Sequence, residues 1–91
     1  MATRRIVEPG PAARDLRRFI ERVGIGIRDA AEQLDTAHPA LLAWLKGICK
    51  PDAYRRELIE LWTGGTIPRL AWLSDRERAA LKRMRPFKRA A

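Results

Sequence analysis

A single cysteine and a single histidine stand among the 91 residues of this chain. One thiol builds no disulfide framework, and Cys49 with His38 supplies no metal-ligand set. Paired carboxylates in a plausible cleft and a phosphate-cradling glycine loop are also missing, and Gly24-Ile25-Gly26 is too short for a nucleotide fingerprint. These shortages argue against an enzyme and imply neither cofactor nor metal. Long apolar runs are lacking: no window approaches the roughly 18 consecutive apolar residues of a membrane span. The opening MATRRIVEPGPAARD has no apolar stretch of the secretory type. The expected setting is cytoplasmic and, given the charge, nucleoid-associated. Acidic residues are few beside the basic ones. Eleven Asp and Glu face nineteen Lys and Arg, for a net charge of +8. A polyanionic partner is favoured, whether nucleic acid, an acidic protein or an acidic surface.

Apolar residues make up 46% of the chain, enough for one small folded domain and too many for a wholly disordered one. Pro9, Gly10 and Pro11, with Arg4 and Arg5 before them, mark residues 1–12 as a flexible basic arm. Such an arm can follow a DNA groove. Leu16, Phe19, Ile20 and Val23 then recur at helical spacing and predict a helix over 13–23, stopped by Gly24 and Gly26. Ile27, Ala30, Ala31 and Leu34 predict a second helix over 27–34. Asp35-Thr36-Ala37 is the turn, with Asp35 where the backbone goes left-handed. A third helix spans 38–46, with Thr36 a better cap than Ala37 and Pro39 in the first turn. Its buried face is Leu41, Trp44 and Leu45, and Gly47 and Pro51 end it. Asp52 caps a fourth helix over 52–63, whose apolar side is Tyr54, Leu58, Ile59, Leu61 and Trp62. Residues 66–73 read as an extended segment or a short helical turn. Ser74 with Glu77 forms a capping box for a last helix over 74–84, carrying Ala79, Ala80, Leu81 and Met84. The segment 74–91 holds seven basic residues against two acidic ones, +5 of the total.

From Gly24 to Pro51 the spacing resembles the lambda-repressor and Cro-like helix-turn-helix family. Gly24 precedes the second helix, Ala31 takes the small-residue place, and Leu34 the apolar place before the turn. Leu41 and Trp44 take the buried places of the recognition helix, and Gly47 with Lys50-Pro51 resembles the family's glycine–basic–proline loop. Arg56, Ile59, Thr63-Gly64-Gly65, Ile67 and Trp72 resemble the C-terminal part of small regulators of this type, so that residues 14–73 are covered. The fold implied is an all-α, lambda-repressor-like bundle of about five helices with flexible basic termini. Residues 1–12 would be the arm, 13–73 the DNA-binding domain and 74–91 a basic helix and tail.

The resemblance implies a sequence-preferring regulator, phage-type and repressing, that binds double-stranded DNA as a homodimer. Its recognition helix over about 38–46 would lie in the major groove, with half-sites about 34 Å apart. The expected DNA-facing residues are Arg28, Thr36, Ala37, His38, Pro39, Ala40, Ala43, Lys46 and Lys50. Arg28 opens a helix N-terminus suited to a phosphate, and Lys46 and Lys50 flank the glycine loop. A dimer interface is expected around Trp62, Ile67, Leu70 and Trp72. The chain departs from the family at the turn, where Asp35 replaces glycine, and at Ile27, where a backbone-binding glutamine is common. The base-reading places hold His38, Pro39 and Ala43, with Leu42 also outward, a surface poor in paired donors and acceptors. Specificity would then lean on DNA shape, the arginine arm, or Lys46 and the loop. Two other readings fit the same pattern. One is an antitoxin that binds DNA and a toxin. The other is an adaptor that keeps the fold and binds protein through the apolar outward residues Pro39, Ala40, Leu42 and Ala43.

Overall fold

The structure, a computed structural model, describes residues 9–88; Arg4 and Arg5 of the expected arm lie outside them. Among the described residues the chain is all-helical, with no strand: five α-helices and one 3-10 turn. Helix α1 (Pro11–Val23) starts two residues earlier than the apolar spacing predicts. Pro11, assigned to the arm, opens the helix, because its missing N–H falls where helices leave donors unpaired. Ala12, Ala13, Leu16 and Ile20 are its buried face. Phe19 is half-buried with its ring edge-on to Trp62 at 5.0 Å, and Val23 is exposed. Gly24 closes α1 with φ 80, its amide donating to the Ile20 carbonyl.

Helix α2 (Ile27–Gln33) buries Ala30 and Ala31, and Leu34 just past its end is fully buried. The chain then turns through Asp35, the one non-glycine residue with positive φ among those described (53°). The Asp35 amide donates to Glu32 O (3.2 Å) and the Thr36 amide to Ala31 O (3.0 Å), the two bonds of a Schellman closure. Thr36 is thereby used up in ending α2. The cap of helix α3 (His38–Lys46) falls on Ala37 instead, with no side-chain cap bond, contrary to the expectation from chemistry. Pro39 in the first turn compensates by fixing the backbone. Leu41, Trp44 and Leu45 are buried as expected, and α3 packs against both α1 and α2. The same closure recurs at Gly47 (φ 77), where Ile48 donates to Ala43 O.

Helix α4 (Ala53–Trp62) is capped by Asp52, whose Oδ1 accepts from the Arg55 amide at 2.9 Å. Its apolar side is narrower than the sequence suggests. Ile59 alone is buried, Leu58 and Trp62 pack on the core from its edge, and Tyr54 and Leu61 are exposed. Thr63 Oγ1 donates to Ile59 O and accepts from the Ile67 amide, which folds the chain back towards the core. Ile67 and the 3-10 turn (Arg69–Trp72) then seat Ile67 and Trp72 in that core beside α1 and α4. Helix α5 (Asp75–Arg83) carries the full capping box of Ser74 and Glu77. No residue of α5 is buried, so Ala79, Ala80, Leu81 and, beyond its end, Met84 form no core stripe. No helix among the described residues is long and apolar enough to cross a membrane.

Candidate nucleic-acid interface

Side chains of α3 that avoid the core fall at Pro39, Leu42, Ala43 and Lys46, spaced i, i+3, i+4, i+7, and so share one outward stripe. Pro39 and Lys46 are exposed, while His38, Leu42 and Ala43 are half-buried. Ala40 is half-buried and packs on the core, which withdraws it from the outward stripe. Ala37 is exposed at the start of the helix, and Thr36 is half-buried in the turn. Arg28 is exposed in the first turn of α2, next to Asp29. Packing of α2 on α3 brings these residues into one unit, but of the α3 residues outside the core only His38 and Lys46 offer side-chain hydrogen bonds.

The turn between α2 and α3 is fastened from α4. Arg55 donates to the Asp35 carbonyl oxygen twice, from Nε at 3.2 Å and Nη2 at 2.9 Å, and its Nη1 meets Asp52 at 3.0 Å. Tyr54 donates its hydroxyl to the Asp35 carboxylate at 3.1 Å. That bond, followed by the carboxylate's charge, holds the Tyr54 phenol above its ordinary pKa. Asp35 therefore sits in a strained backbone conformation with both its carbonyl and its carboxylate occupied. Sequence reasoning missed Tyr54 and Arg55, since no local pattern ties them to a residue some twenty positions earlier.

Lys50, placed among the phosphate contacts, is exposed but bridges to Glu77 in the first turn of α5 at 3.4 Å. Glu77 has a carboxyl lowered from its ordinary value near 4.5 to about 2, first by the Ser74 backbone and side-chain hydrogen bonds and then by Lys50. The expected dimer residues separate. Ile67 (1% exposed) and Trp72 (5%) are packed inside the single chain and offer a second copy almost no surface. Trp62 is half-buried and donates its Nε1 to Gln33 Oε1 at 2.8 Å. Leu70 alone of the four is exposed, at 53%. No cluster of His, Cys, Asp and Glu among the described residues is arranged to hold a metal ion. Set against family models, curated proteins and solved structures, the chain matches none.

Proposed function

We propose that this chain is a DNA-binding regulator of the lambda-repressor and Cro-like helix-turn-helix type, a repressor that acts as a homodimer with α3 in the major groove. The observation that carries the reading is the α2–turn–α3 unit. Two short helices pack on each other across a turn clamped by Arg55, and the stripe Pro39, Leu42, Ala43, Lys46 faces outward in a chain of charge +8. Arg28 and Lys46 would contact phosphates, and His38 would make the one polar base contact. Pro39 and Ala43 would touch thymine methyls, so discrimination comes largely from DNA shape.

Selection from a random duplex pool, followed by affinities of the winners and of a scrambled duplex at several salt concentrations, tests this. One enriched motif, palindromic for a dimer, is expected. Binding that is unselective and vanishes at physiological salt would reject it in favour of plain charge attraction. The thin polar content of the outward α3 face favours one further reading, a protein-binding adaptor or antitoxin on the same scaffold. A stable heteromer with no selected duplex would be its signature.

A further inference from the structure

Between the 3-10 turn and α5 lies an open groove of about 510 Å³ lined by Pro68, Leu70, Ala71, Leu73 and Leu81, with Arg78 and Lys82 along one side. Its walls are exposed: Leu70 at 53% and Leu81 at 50%. Beyond the end of α5, Met84 at 72% and Phe87 at 89% are exposed as well. Over 74–88 six basic residues face two acidic ones, and one of those, Glu77, is already held by Ser74 and Lys50. Arg78 ties α5 to the groove's floor through a 3.1 Å bond to the Ala71 carbonyl.

We infer that this groove is a docking site for an acidic, apolar-faced segment of a partner protein. Charge selects the occupant. Arg78 and Lys82 line the groove and the segment 74–88 carries four further cations, so a second copy docked through the same face would set like charges against them. Duplex DNA would satisfy the charges but leave Leu70, Leu81, Met84 and Phe87 wet. An anionic membrane would satisfy both but meets a surface as a plane, whereas the leucines here line a shallow groove between two elements, which matches a single segment better. The surface is thus the helix-in-groove type with a basic rim. It does not depend on the DNA-binding reading, because it shares no residue with α2 or α3.

The test titrates the full chain, methyl- and amide-labelled, with a synthetic leucine–glutamate peptide whose leucines recur at i, i+3, i+4, i+7. Leu70, Leu81 and Met84 methyl signals should shift, and Leu81→Ser should weaken binding by about tenfold, roughly what one buried leucine contributes. Leu81 is half-exposed, so the variant keeps the native melting temperature. Equal binding of a peptide with the same composition in scrambled order would overturn the inference, since charge alone then suffices. It is equally overturned by shifts that spare the Leu70 and Leu81 methyls, by preferential binding to phosphatidylserine vesicles, or by a dimer in light scattering that Leu81→Ser dissolves.

Discussion

Trp72 carries the clearest single-residue consequence. The indole is 5% exposed and its Nε1 has no hydrogen-bond partner among the described residues. A buried donor left unpaired costs about 1–3 kcal/mol, so burial of the large ring must outweigh that loss. Trp72→Ala should therefore lower the unfolding free energy by about 3–5 kcal/mol in a urea titration, through lost packing. Trp72→Phe removes the orphan donor and keeps most of the ring, and should stay within about 1.5 kcal/mol of the parent. Equal losses for both variants would show that the N–H itself is satisfied. Asp35 gives a second contrast. Its φ of 53° suits glycine, and its carboxylate accepts from Tyr54. Asp35→Gly and Asp35→Ala both delete that bond, so their difference isolates the backbone. Alanine should be the less stable by about 1 kcal/mol. Matching stabilities would mean that the turn relaxes out of the left-handed region.

Elements differ in how far the sequence alone defines them. The spans of α2, α3 and α4 follow, to within a residue at each end, from apolar spacing and from signals that act within a few residues, such as Gly26, Gly47 and the Asp52 cap. The capping box of α5 was legible for the same reason, being written in Ser74 and Glu77 alone. What periodicity does not contain is which neighbour covers a face. Leu61 at 75% exposure and buried Ile67 look alike in sequence, and the fold-back at Thr63 decides between them. The sequence suggests Pro39, Ala40, Leu42 and Ala43 as outward residues of α3, but packing turns Ala40 to the core; the Arg55 clamp on the turn is not legible either, because only tertiary packing brings the two together. The α5 helix depends on its cap more than any other, since none of its residues is buried. Glu77 titrates near 2 when folded and near 4.5 when α5 is unwound. Its folded value is the lower one, so its support for α5 is complete above pH 4.5 and lost as pH falls towards 2. Protection of the α5 amides, taken relative to the intrinsic exchange rate at each pH, should fall across that window while the core amides of α1 and α3 stay protected. In Glu77→Gln the loss of protection should be present already at neutral pH and the dependence should flatten. Uniform loss of protection in all helices would tie α5 into the global fold.

At the scale of the whole molecule, charge distribution separates the two surfaces. The +8 of the chain is concentrated at its C-terminal end, whereas the α2–α3 face has only Arg28, Lys46 and Lys50 among its expected contacts. A duplex held by α3 should thus show a modest salt dependence, and each lost phosphate contact should reduce the slope of log K against log salt by about 0.9. Lys46→Gln is expected to do so on every sequence alike, because a phosphate contact carries no base information. Lys50 differs because its ammonium sits 3.4 Å from Glu77. The ion pair is exposed and weak, yet it neutralises the one cation on the loop after α3 and links that loop to α5. Releasing it by Glu77→Gln adds a unit of positive charge to the loop at one position. Affinity should rise and the salt slope should steepen by up to about 0.9, in a variant whose α1–α4 core is untouched. Lys50→Gln should then cancel the gain in the double variant, since the freed ammonium is what the phosphate would meet. A gain that survives Lys50→Gln would place the new contact on α5 itself, and DNA would then be reaching the basic helix rather than the turn.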